Sequence, residues 1–294
     1  MTTAILIGFH YPLIKTIPGT IMDLYHAYRF CRLCGYKIHI LTDMRNISYT
    51  DTMNRAVRHN VVDSGIRRFM TDVSQYNLIY HKEDLIKTIK DIELGEDEKL
   101  FVYYSGHGVP DAIVLPNQER YSILEFRDLV LSICQDNTDI FWIMDCCNPN
   151  GMYLPFKLNN KRFRLSASED DIKSMISAVS NKILLITSSS EEQKSVATAF
   201  GSLFTRFLFD TLGNLTVRDD KPGIYPKLAG RPRNRNLVTI IRFIEYKVKA
   251  VAQEYPQTVN VYTTQISPTV LWSWIGTHDT DITIDYELNA LTVS

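Results

Sequence analysis

The chain has 294 residues, 45% of them apolar, and a formal net charge of −1 at neutral pH. That is enough apolar material for one large α/β domain or two small ones. The near-zero charge gives no bulk attraction to nucleic acid or to an anionic bilayer, so neither is expected as a partner. No stretch approaches the roughly 20 apolar residues that span a bilayer. Residues 1–8 lack the basic region and the long apolar run of a signal peptide. The five cysteines are an odd number without a disulfide-framework spacing, which predicts a reducing, cytoplasmic setting.

Ala4 to Phe9 reads as a short buried strand, broken by His10-Tyr11-Pro12. Pro18-Gly19 is a turn, Thr20 can cap a helix from Ile21 to about Cys34, and Gly35 ends it. Tyr36 to Leu41 is a second strand, ending at Thr42-Asp43, and the three elements make a βαβ unit. Cys31 and Cys34 form a Cys-x-x-Cys on the helix. A redox or zinc site needs a thioredoxin context or two further ligands at matched spacing, and neither is present, so both are expected in the core. His26 and His39 are expected to be structural. Met53 to Val73 has helical apolar spacing with Arg55, Arg58, Arg67 and Arg68, which predicts an amphipathic insertion with a solvated basic face. Lys82 to Ile92 is another amphipathic helix.

Lys99 to Tyr104 is an apolar strand that ends in Ser105-Gly106-His107-Gly108. Glycine on both sides of a histidine lets the backbone turn sharply and leaves the imidazole clear of neighbours. Asp111 to Ser122 reads as a short hairpin, Ile123 to Gln135 as a helix, and Asp139 to Asp145 as a second strand buried on both faces. That strand ends in Asp145-Cys146-Cys147. Two buried parallel strands deliver their last side chains to the same carboxyl edge of an open α/β sheet, where ligands bind. Cysteine needs a nearby base or cation to be a good nucleophile near neutral pH, and histidine is the usual provider. Residues 148–181 are polar and read as a loop. Lys182 to Thr187 is a further buried strand, 200–212 and 237–253 read as helices, and Thr269 to Trp274 as a last strand before a tail over 277–294.

Tyr104-Ser105-Gly106-His107-Gly108, followed by Asp145-Cys146-Cys147, resembles the His and Cys motifs of metacaspases, within the wider caspase-like cysteine peptidases. Metacaspases carry Tyr-Ser-Gly-His-Gly and then Asp-x-Cys-His-Ser-Gly; in caspases the histidine lies about 50 residues upstream of Gln-Ala-Cys-Arg-Gly. Ile17-Pro18-Gly19-Thr20-Ile21-Met22-Asp23 and the Gly201-Ser202-Leu203-Phe204-Thr205 run are similar to two further stretches of that family. This chain departs from the pattern at Asn148-Pro149-Asn150-Gly151, and Pro149 brings no N–H to the turn.

The resemblance implies an α/β caspase-like fold, a central mostly parallel β-sheet flanked by helices on both faces. It implies one domain over 1–275, with a large-subunit-like region over 1–150, a linker over 151–181 that is often cut, a small-subunit-like region over 182–275, and a tail over 276–294. It implies a Cys-His dyad of Cys147 and His107, with backbone N–H groups of Gly108 and Cys147 around the oxyanion. It also implies an acidic specificity pocket of Asp23, Ser105 and Asp145 that receives Arg or Lys. The expected partners are polypeptide substrates with basic residues, and a monomer is expected rather than a dimer. Many metacaspases bind calcium near the hairpin; Asp111 matches one ligand position, but the paired aspartates expected further on are missing, with Glu125 alone nearby. No metal and no other cofactor is therefore expected. The competing reading is a catalytically inactive caspase-fold homologue that serves as a binding or regulatory module.

Overall fold

Runs such as Ala4-Ile5-Leu6-Ile7, Leu100-Phe101-Val102-Tyr103-Tyr104 and Ile140-Phe141-Trp142-Ile143-Met144 are apolar at every position, the pattern of strands covered on both faces. In the computed structural model they lie at the centre of one nine-stranded sheet. The structure describes residues 1–13, 15–17, 19–44, 69, 76–149, 151–159, 162–166, 179–190, 193–198, 201–216, 237–252 and 257–264. The expected helix over 53–73, apart from Phe69, and the expected strand and tail beyond 264 lie outside the described residues.

In chain order the first half holds β1 (Thr2–Gly8), α1 (Thr20–Leu33), β2 (Lys37–Thr42), β3 (Tyr76–Leu78), α2 (Lys82–Lys90) and β4 (Lys99–Ser105). A small three-stranded sheet follows, β5 (Gly108–Val109), β6 (Ala112–Val114) and β7 (Arg120–Ser122), then α3 (Ile123–Leu131) and β8 (Asp139–Asp145). The second half holds β9 (Phe156–Asn159), β10 (Arg162–Leu165), β11 (Lys182–Thr187), the hairpin β12 (Ala197–Thr198) and β13 (Gly201–Ser202), α4 (Leu203–Thr216), α5 (Leu237–Val251) and β14 (Asn260–Thr263). The large sheet runs β10-β9-β14-β11-β8-β4-β1-β2-β3. From β3 to β11 every pairing is parallel; β14, β9 and β10 join antiparallel. This is the helix-flanked, mostly parallel sheet that the sequence implies.

Alternate residues of each strand feed two cores. Phe101, Tyr103, Phe141 and Ile143 pack with α1, α4 and α5 on one face. Leu100, Val102, Tyr104, Ile140, Trp142 and Met144 pack with α2 and α3 on the other. Cys31 is fully buried and Cys34 half-buried in the first core, where burial pushes both thiols up, Cys34 to about 11. These are packing residues, as their lack of partner ligands suggests. His39 is half-buried, and desolvation lowers its imidazole from the ordinary value.

Several boundaries differ from expectation for local reasons. Thr20 is the first residue of α1 rather than its cap; its hydroxyl donates to Ile17 O at 3.0 Å. Helix α3 stops at Leu131, because the Ser132 hydroxyl donates back to Leu129 O at 2.7 Å and Cys134 N–H bonds Leu131 O, which tightens the chain into turns. Within the stretch read as a linker, β9 and β10 form a hairpin that extends the main sheet. Phe156 and Phe163 are buried, and Leu158 and Leu165 pack against the same core. That period-two pattern is interrupted by Lys157, Lys161, Arg162 and Arg164, which made the run read as polar. Strand β14 lies in a stretch of the sequence that carried no strand prediction.

Candidate active site

The order of strands reverses between β1 and β4: β2 and β3 build outward on one side, β8 and β11 on the other. Ligands bind at the carboxyl ends of strands at such a switch point. Tyr11 and Lys15 follow β1, Asp43 follows β2, His107 follows β4, Cys146 and Cys147 follow β8, and Ser188 and Ser189 follow β11. All therefore leave the sheet at one edge.

Strands β4 and β8 pair Ser105 with Asp145, and Gly106 N–H donates to Asp145 O at 3.2 Å. His107 and Cys147 each lie two residues beyond this last pair. Both are half-buried. No hydrogen bond among the described residues joins the thiol to the ring, and such contacts often tighten only around substrate.

The His107 ring is held by the loop after β1. Its Nε2 lies 2.6 Å from Lys15 O. A carbonyl only accepts, so Nε2 is the donor in this hydrogen bond. The Tyr11 ring packs on the imidazole with centroids 4.4 Å apart, so the ring is not clear of neighbours as the flanking glycines suggested. The glycines serve a different purpose. Neither has a positive φ. A Cβ on Gly106 would strike Tyr11 Oη and meet Tyr104 Oη at 2.7 Å, and one on Gly108 would strike Cys147 O and meet Cys146 Sγ at 3.0 Å. Close approach, not a turn, requires them.

Gly108→Ala tests this packing. The Cβ meets backbone, which cannot swing aside, so the variant is expected to lose about 1–3 kcal/mol of stability and most thiol reactivity, measured by denaturant unfolding and by alkylation of Cys147.

The two cysteines differ. Cys146 is 3% exposed, and burial followed by the Asp145 charge holds its thiol well above the usual range. Such a thiol is inert. Its carbonyl accepts from the Ser188 and Ser189 hydroxyls at 3.3 and 3.2 Å. After Cys147 the chain turns at Asn148, φ 50°, a left-handed conformation that asparagine enters more readily than most residues. Asn148 N–H donates to Gln193 O at 3.3 Å.

Asp23, Ser105 and Asp145 come together below this turn. Asp23 Oδ2 accepts from Ser105 Oγ at 3.0 Å and Oδ1 from Ser202 N–H at 2.7 Å. Asp145 Oδ1 accepts from Ser195 Oγ at 2.6 Å and Oδ2 from Thr205 Oγ1 at 2.5 Å. Both carboxylates are buried, and neither forms an ion pair among the described residues. Burial, and then the Asp145 charge, holds the Asp23 carboxyl well above the usual carboxylate range.

The sequence reading gave no site role to Lys15, Tyr11, Asp43, Ser195 or Thr205. A backbone carbonyl leaves no side-chain signal, and the others sit far apart in the chain. Among the described residues, no three His, Cys, Asp or Glu side chains gather as a metal site would require. Glu125, the carboxylate near the hairpin, is ion-paired with Lys82 at 3.2 Å. No described helix is long and apolar enough to cross a membrane.

The Peptidase C13 family description matches residues 37–215, more than half of the chain, including both His107 and Cys147. The chain belongs to the Peptidase C13 family. It is thus a member of a cysteine peptidase family, which bears out the expected caspase-like family. No curated protein matches this C13 chain. A crystal structure of a Geobacter sulfurreducens protein superposes with a TM-score of 0.49 at 14% identity, covering 92% of this chain and 96% of that one.

Proposed function

We propose that this Peptidase C13 member is a metacaspase-like cysteine endopeptidase that cuts after Arg or Lys. The observation that carries the reading is the Lys15 carbonyl on His107 Nε2, which in a neutral imidazole leaves Nδ1 as the base, with a half-buried thiol at the end of the neighbouring strand. Nδ1 takes the Cys147 proton, the thiolate attacks the peptide carbonyl, His107 returns the proton to the leaving amine, and water releases the acyl group. Val114 N–H bonds His107 O, which makes Gly108 and Ile113 a pair that exchanges no ladder bonds. The Gly108 N–H therefore stays outside the ladder and suits the developing oxyanion.

Two buried carboxylates without a counter-ion support a cationic substrate side chain and disfavour an acidic one. A panel of peptides differing only before the cut tests this. Arg and Lys are expected to be turned over and Asp rejected; preference for Asp would overturn the pocket assignment. Self-processing within 152–181 falls on Lys161 or Lys173, because Lys157, Arg162 and Arg164 lie in paired strands. The Lys82 partner of Glu125 supports activity without calcium. The β9–β10 hairpin covers the edge of β14, and Arg164 on the outer strand is exposed, which supports a monomer.

The alternative, an inactive module, draws on the commitment of Asn148 N–H to Gln193 and on the missing thiol–imidazole bond. It predicts a folded protein with no turnover of any peptide in the panel.

A further inference from the structure

Two residues that follow β1, Tyr11 and Lys15, touch His107. Tyr11 Oη accepts the His107 backbone N–H at 2.7 Å and donates to Val114 O at 2.8 Å. The Lys15 carbonyl takes the ring's Nε2–H. The loop closes on itself through Ile17 N–H to His10 O at 3.1 Å. Tyr11 itself is fully buried and sits at φ 59°. A bulky residue in the left-handed region is strained, and such strain persists only where surrounding contacts over-determine it.

What over-determines it is Asp43. Its Oδ1 accepts His10 N–H at 2.7 Å and its Oδ2 accepts Tyr11 N–H at 2.8 Å. Two oxygens of one carboxylate thus capture consecutive amides at the point where β1 gives way to the loop. Asp43 is 3% exposed and forms no ion pair among the described residues. A buried charge without a counter-ion is costly. A neutral cap would spare that cost, yet an amide has a single acceptor oxygen, whereas here the two N–H groups each take their own oxygen.

We propose that Asp43 is a positioning residue for His107: it pins the chain at His10 and Tyr11, with Tyr11 in its strained form, so that Tyr11 fixes the histidine backbone and the Lys15 carbonyl the orientation of the ring. The inference rests on the dyad reading above. No contact between Asp43 and substrate is required. The device explains why a carboxylate at the end of β2, outside both motifs, faces the catalytic edge.

The test is alkylation of the full chain by iodoacetamide, a probe too small to need the specificity pocket, with the adduct at Cys147 followed by mass spectrometry. Asp43→Asn is expected to slow this reaction by about 10- to 100-fold, with the same drop in kcat for an arginyl peptide and KM within about twofold. Tyr11→Phe keeps the ring and removes the hydroxyl; it is expected to act in the same direction, and it carries the test if Asp43→Asn does not fold. In a His107→Ala background neither substitution is expected to slow alkylation further, because both act through His107. If the losses add in full in that background, Asp43 serves the fold alone and the proposal is overturned. Unchanged alkylation in Asp43→Asn and Tyr11→Phe, with a loss in His107→Ala, overturns the clamp and leaves the dyad standing. No loss in His107→Ala ends both.

Discussion

Replacing Cys147 with alanine is expected to reduce peptide turnover by about 10⁶-fold, the scale seen when a catalytic nucleophile is removed, whereas Cys146→Ala keeps most of it. The adjacent thiols allow a controlled comparison. Both end the same strand, but Cys146 points into the core beneath Gly108, where burial and the Asp145 charge keep it protonated. Its loss leaves a small void and lowers stability by about 1 kcal/mol. Cys147 is half-buried and comes just before the turn at Asn148. Steady-state turnover of an arginyl peptide, with unfolding by denaturant alongside, separates the two roles. Equal losses in both variants would mean that the thiols act only through packing.

Asp145→Asn is expected to cost about 2–5 kcal/mol in transition-state binding of an arginyl substrate, which is roughly 30-fold to 5,000-fold in kcat/KM. The asparagine keeps the shape of the group, and the Ser195 and Thr205 hydroxyls can rotate to suit it. What it removes is the Asp145 charge, in a pocket of two acidic groups that a guanidinium would meet. Alkylation of Cys147 by iodoacetamide should stay unchanged, because that reagent carries no cation. Asp23→Asn is expected to show the same loss with an added signature. The folded chain raises the Asp23 carboxyl, so it holds a proton that the unfolded chain releases. Stability from this group therefore falls as pH rises through the raised value, and Asp23→Asn should flatten that part of the stability profile. Wild-type kcat/KM for arginyl peptides should fall as the pH drops through the same range. Turnover of arginyl peptides that is indifferent to both substitutions would remove the acidic pocket from the account.

Much of the sheet was legible because its central strands obey one rule. An apolar residue at every position of 100–104 and of 140–144 marks a strand covered on both faces, and β8 spans Asp139–Asp145 as read. The polar ends of those strands, His107 and Cys147, were legible because polar chemistry at the end of a buried strand stands out. The β9–β10 hairpin was not, because edge strands keep one face in water and their charges mask the alternation of Phe156, Leu158, Phe163 and Leu165. The support of His107 was less legible still. Lys15 contributes a carbonyl that any residue would supply. Tyr11 and Asp43 lie 32 residues apart and meet because β1 and β2 are neighbours in the sheet. The purpose of Gly106 and Gly108 was misread for the same reason: only the fold reveals that Tyr11, Tyr104 and Cys147 crowd them.

The most direct measurement is labelling by an arginyl thiol-reactive probe, with the modified residue located by mass spectrometry. A single adduct on Cys147 that vanishes in Cys147→Ala, persists in Cys146→Ala and is strongly reduced in His107→Ala is the expected outcome. An adduct on Cys146, or labelling of Cys147 that proceeds as fast without His107, would contradict the account.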